Sequence, residues 1–191
     1  MKLLGIEKVR DGKYLKNYEL TYLNKAGREK KYEIVSRSEI SDTESLGSSV
    51  SGLSIVVICQ DKLLLLREFR MGINRTIYNL CAGLLEPGES VEECIERELY
   101  EETGLKLKRI IDIMPPSFAA VAISDIQTRI AIVEAEGEFS DHTSDNEQIH
   151  AAFYTKEECA QLLKTAEFSS RSQMIAYFFT KNAFSGLDNW Q

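Results

Sequence analysis

Residues 83 to 105 read GLLEPGESVEECIERELYEETGL, and this stretch decides the reading of the chain. Ser90 followed three residues later by Glu93 is a capping box, in which each side chain satisfies an orphan backbone N–H at a helix start. Gly104 stands where a left-handed glycine closes a helix. The spacing therefore predicts a helix from about Val91 to Thr103, with Val91, Ile95 and Leu99 on one apolar stripe. Glu98, Glu101 and Glu102 fall at i, i+3 and i+4, so they share a face. Like charges so placed repel, and two of them lie near the negative end of the helix dipole. A hard divalent cation reverses that sign, because Mg²⁺ takes carboxylate oxygens and keeps positions for water and phosphate. Arg97 can pair with Glu93 or with Glu89 and so tie the preceding loop to the helix. The same acidic run also suits a solvated face of an ordinary amphipathic helix.

Working outward, two alternating segments, 14 to 23 and 29 to 36, flank a turn at Asn24-Lys25-Ala26-Gly27 and predict a β-hairpin. Residues 38 to 52 are rich in Ser, Gly and acids and read as a linker. LSIVVIC (53 to 59) and LLLLREFR (63 to 70) read as adjacent buried strands. Further strands are expected at 76 to 82, 106 to 113, 128 to 136 and 149 to 155, and helices at 156 to 166 and 170 to 182. This order predicts an α+β fold. It comprises a small N-terminal β lobe over residues 1–45 and a main domain over 46–191.

The chain has 191 residues, 43% hydrophobic and 28% charged, with a net charge of −7. No run of about 18 apolar residues crosses a membrane, and the start turns polar too early for a secretory signal. No Lys/Arg cluster offers a nucleic-acid surface. Cys59, Cys81, Cys94 and Cys159 form no CxxC pair; they are expected as buried thiols in a reducing cytoplasm. His142 and His150 suggest no metal centre.

The central stretch resembles the Nudix box: Gly83, Glu89, Arg97, Glu98, Leu99, Glu101, Glu102, Gly104 and Leu105 fill its nine fixed positions. The resemblance implies an α/β/α sandwich around a mixed sheet and Mg²⁺-dependent hydrolysis of a phosphoanhydride, with Mn²⁺ as an alternative ion. It makes Glu98, Glu101 and Glu102 catalytic metal ligands and the Ala82 carbonyl a further donor. Arg97, with Glu89, Gly83 and Gly104, becomes structural. Outside the box, the order of elements and the Arg-Glu-Phe-Arg strand end resemble the ADP-ribose and nucleotide-sugar pyrophosphatase branch. That likeness implies base and phosphate contacts from Tyr32, Glu33 and Arg37, a phosphate or ribose contact from Arg70, and a loop base or metal ligand in Glu147. It also implies a homodimer in which the N-terminal lobes reach across. ADP-ribose is the leading substrate, with ADP-glucose, UDP-glucose and GDP-mannose as alternatives and a silent ligand sensor as another class. Val121, Ala122 and Ile126 depart from the branch's proline, glycine and glutamate, and Cys81 replaces a usual proline, which leaves the sugar open.

Overall fold

The computed structural model describes residues 1–186. Its elements follow the order β1 (Lys2–Asp11), β2 (Lys16–Leu23), β3 (Glu29–Ser36), β4 (Val50–Cys59), β5 (Lys62–Arg70), β6 (Arg75–Asn79), β7 (Cys81–Leu84), α1 (Val91–Thr103), β8 (Lys106–Ile113), β9 (Ser117–Phe118), β10 (Gln127–Glu136), β11 (Ile149–Tyr154), α2 (Lys156–Thr165) and α3 (Ser170–Thr180). Helix α1 starts and stops as its caps dictate. Ser90 and Glu93 form the reciprocal capping box, and Gly104 closes the helix at φ 78.

The chain divides into two compact units. The first comprises Met1–Gly52 and Pro116–Arg129, and the second comprises Leu53–Pro115 and Ile130–Gln191. The first unit thus runs to Gly52 and takes in residues 116 to 129. In that lobe β1, β2 and β3 form an antiparallel sheet in chain order, with Tyr18 paired to Ile34 and Leu20 to Tyr32. Directly paired residues share a sheet face, so Tyr18, Leu20 and Ile34 form one apolar face and pack with Ile40 as the lobe's core. The expected linker is not featureless: Asp42 Oδ1 accepts from the Glu44 and Ser45 N–H groups, folding 42 to 45 into a turn.

The main sheet is mixed and runs β11-β5-β4-β10-β8, with β6 paired to β5, β7 to β4 and β9 to β10. Strand alternation sorts its core into two layers. Leu64 and Leu66 pack with Cys94, Ile95 and Leu99 of α1. Leu63 and Leu65 pack with Cys159 of α2 and Ala176 and Phe179 of α3. One helix therefore covers one face and two cover the other, which is the expected sandwich. The segment 76 to 82, read as one strand, divides at Leu80. The Leu80 N–H goes to the Ser172 hydroxyl at 3.0 Å instead of a ladder carbonyl. The four cysteines are free thiols, three of them buried. Among the described residues, no helix is long and apolar enough to cross a membrane.

Candidate active site

The acidic centre is built by α1 and the loop before it. Arg97 organises that loop: its Nε donates to Glu89 Oε1 at 2.7 Å and its Nη2 to Glu89 Oε2 at 2.9 Å. Nη2 also donates to the Leu84 carbonyl at 3.0 Å. A forked guanidinium matched to one carboxylate fixes both position and orientation, and it holds the Glu89 carboxyl down at about 2. Of the two partners the sequence offered for Arg97, the structure uses Glu89. Glu93 stays with the helix cap.

The remaining Arg97 nitrogen, Nη1, is shared between Glu98 Oε1 at 2.7 Å and Glu101 Oε2 at 3.2 Å. Burial lifts the Glu98 carboxyl above the usual range, against the pull of Arg97. Glu102 goes further, to about 8, because burial dominates the Cys81 and Ala82 hydrogen-bond donors beside it. Its Oε2 accepts from the Ala82 N–H at 3.1 Å. Gly83 is required here, since a methyl group at its Cα would overlap the Glu98 carboxyl. Gly104 combines its left-handed φ with close approach to Ser140. Glu147 belongs to a nearby loop, where its Oε2 accepts from Ser144 N and Oγ at 3.1 and 2.9 Å. Its charge is felt at Glu98.

Among the described residues, no three His, Cys, Asp or Glu groups stand preassembled as a cation cage. Glu98 and Glu101 are turned to Arg97 and Glu102 to Ala82. The donor set nevertheless fits a hard divalent ion in kind: carboxylate and carbonyl oxygens, with two carboxylates whose burial and mutual repulsion a cation would relieve.

The other anticipated residues divide between the units. Tyr32 lies in the first, where its hydroxyl donates to the Ala122 carbonyl at 2.6 Å. There it lines a cavity of about 300 Å³ with Leu20, Tyr22, Phe118, Ser124 and Asp125. Val121, one of the departures, lines the same cavity. Glu33 follows Tyr32 on the strand and so points to the opposite face, where it pairs across to Glu19. Arg37 is exposed just beyond β3. Arg70 ends β5 in the second unit, with Nη1 at 3.5 Å from Glu68 Oε1. The reading from sequence passed over Glu68, which is 4% exposed. The signal available was an acid two residues beyond Leu66, in register with the apolar pair Leu64 and Leu66 of β5.

A NUDIX domain model matches residues 50–178. The chain belongs to the Nudix family. This Nudix protein is 28% identical over 137 residues to the ADP-sugar pyrophosphatase of Mus musculus, covering 69% of this chain and 60% of that one. It is 27% identical to the ADP-ribose pyrophosphatase of Saccharomyces cerevisiae, covering 69% and 57%. A shorter stretch of 66 residues, 35% of this chain, is 42% identical to an NAD-capped RNA hydrolase of Stutzerimonas stutzeri and covers 21% of it. The Nudix chain thus spans less than two thirds of each of these relatives. A crystal structure of an ADP compounds hydrolase superposes with a TM-score of 0.76 at 22% identity, covering 97% of this chain and 96% of that one. That match shows a shared fold over nearly the whole length.

Proposed function

We propose that this Nudix protein hydrolyses the phosphoanhydride of a nucleoside diphosphate sugar, with ADP-ribose, cleaved to AMP and ribose 5-phosphate, as the first choice. The observation that carries the reading is the Arg97–Glu89 clamp, which ties the loop to α1, the helix that carries Glu98, Glu101 and Glu102, beside the Ala82 backbone of β7. Glu98, Glu101, Glu102 and the Ala82 carbonyl would hold Mg²⁺, which when bound neutralises phosphate oxygens and acidifies water. The chain's own residues do the rest. Arg70 offers guanidinium donors to the diphosphate, a geometry suited to phosphate oxygens. Glu147 takes the proton from the attacking water, its carboxylate being close enough to influence Glu98. The base and phosphate contacts that the family resemblance implies for Tyr32 and Arg37 belong to the first unit, and Glu33 does not share Tyr32's face of β3.

The names of the mouse and yeast relatives support an ADP-linked substrate, and the bacterial relative brings NAD-capped RNA into the comparison. The N-terminal lobe serves dimer formation in this reading, and the four free thiols suit the cytoplasm. The test is kcat/KM measured in parallel for ADP-ribose, ADP-glucose, UDP-glucose, GDP-mannose, NAD and ATP, with and without Mg²⁺. ADP-ribose or another diphosphate sugar is expected to lead. A lead for ATP would overturn the substrate class, and equal turnover in chelator would overturn the metal assignment. Sedimentation at micromolar concentration is expected to give a dimer.

A further inference from the structure

The alternation of β5 places a carboxylate where the box does not call for one. Leu64 and Leu66 face the α1 layer, so Glu68 and Arg70 continue that row by the two-residue repeat of a strand. Glu68 is 4% exposed, and a buried carboxylate is strongly disfavoured without donors or an opposite charge. Glu68 has both. Asn79 Nδ2 donates to its Oε1 at 2.6 Å, and Arg70 Nη1 lies 3.5 Å from the same oxygen.

The Asn79 amide is itself held from the other side. Its Oδ1 accepts from Ser169 Oγ at 2.7 Å and from Ser172 Oγ at 2.6 Å. Ser172 Oγ in turn accepts the Leu80 N–H at 3.0 Å. A carboxylate only accepts and an amide nitrogen only donates, so the donors run in one direction. They pass from the Leu80 backbone through Ser172 and Asn79 to Glu68. The break in the strand at Leu80 and the start of α3 thereby fix one carboxylate on the α1 face. Arg70, by contrast, has a side chain 58% exposed, and a long exposed side chain has many rotamers open to it. Nη1 makes the ion pair with Glu68 Oε1, and a guanidinium carries five N–H donors, so one carboxylate oxygen leaves donors for a second acceptor.

The geometry points to Glu68 as the positioning residue that aims Arg70, with Asn79, Ser169 and Ser172 holding Glu68 for that task. This inference rests on the proposed role of Arg70 as a diphosphate contact. Charge and shape can be separated, because Glu68→Gln keeps an acceptor oxygen for Asn79 and removes the charge that faces Arg70.

The experiment is a double-mutant cycle in the full chain, using Glu68→Gln, Arg70→Ala and the pair. For each protein, kcat and KM for ADP-ribose are measured in Mg²⁺, and Kd for ADP-ribose is measured by calorimetry in chelator. Glu68→Gln is expected to raise KM and Kd together by about 10-fold, the scale of losing an outer partner of a site residue, with kcat much less affected. The double variant is expected to bind no worse than Arg70→Ala alone, because residues acting through one another are non-additive. If Arg70→Ala leaves Kd unchanged, the diphosphate role of Arg70 fails, and the inference falls with it. If Arg70→Ala weakens binding and Glu68→Gln adds its whole factor on top, the diphosphate role stands and the positioning role is overturned. Should Glu68→Gln not fold, Glu68→Asp carries the same cycle, since it withdraws the carboxylate by one methylene while keeping its charge.

Discussion

Glu102 lies in the last turn of α1, and burial carries its carboxyl from an ordinary 4.5 to about 8. Between those two values the folded protein holds a proton that the unfolded chain has released. Stability therefore falls as pH rises through this window in the absence of metal. The contribution is intact below about 4.5 and lost by about 8. At about 1.4 kcal/mol per pH unit, the full span sets a ceiling of roughly 5 kcal/mol. Relaxation and water entry reduce the effect, so about 2–4 kcal/mol is the expected size near pH 8.5. Glu102→Gln cannot ionise and keeps an oxygen for the Ala82 N–H. The metal-free variant should match the parent near pH 5 and exceed it progressively as pH rises. For a chain of this length, that corresponds to a melting temperature higher by about 5–15 °C at the alkaline end. The assay is thermal unfolding followed by circular dichroism in chelator, from about pH 5 to about pH 8.5. Millimolar Mg²⁺ should then raise the parent's midpoint at alkaline pH and leave the variant nearly unmoved, since ligand binding stabilises only the state that binds. Parallel pH curves for the two proteins, or a variant less stable throughout, would refute the electrostatic account of this residue.

Glu98→Gln should lower turnover of the preferred substrate by at least about 100-fold while leaving the melting temperature near that of the parent, as for loss of a group needed only in the transition state. Gly83→Ala should abolish activity and reduce stability by about 2 kcal/mol or more, because the added methyl overlaps Glu98 in a packed site; a soluble, fully active variant would contradict the close approach. Gly104→Ala should cost about 1–3 kcal/mol in denaturant unfolding, since a side chain is strained at φ 78 and meets Ser140 as well.

Where a local rule operates, sequence and structure agree closely. Helix α1 begins at Val91 and ends at Thr103 because Ser90, Glu93 and Gly104 act over four residues or fewer. Strand β8 at Lys106–Ile113 matches its expected span. Strand β1 escaped notice, and its pairing shows why. Register shifts between Leu3 and Gly5 and between Lys8 and Arg10 break the alternation that reveals a strand. The split at Leu80 depends on Ser172, 92 residues away, and the pairing of Asn79 with Ser169 spans 90 residues. No short-range pattern encodes such partners. The same holds for the 116 to 129 segment, whose place in the N-terminal lobe rests on contacts such as Asp125 Oδ2 accepting from the Gly47 N–H. The box could be read because its chemistry is written in consecutive residues, whereas Glu68 shows itself only once the strands are paired.

The guanidinium of Arg97 spends one nitrogen on Glu98 and Glu101 and the rest on the loop. The resting protein thus carries a provisional counter-ion for carboxylates that would otherwise repel one another. Each contact engages a single oxygen of its carboxylate, Oε1 of Glu98 and Oε2 of Glu101, so one nitrogen offsets two charges. That nitrogen is kept beside the glutamates by the other two, which hold Glu89 and the Leu84 carbonyl. A lysine, with a single charged nitrogen, could not remain on the loop and cover the glutamates at the same time.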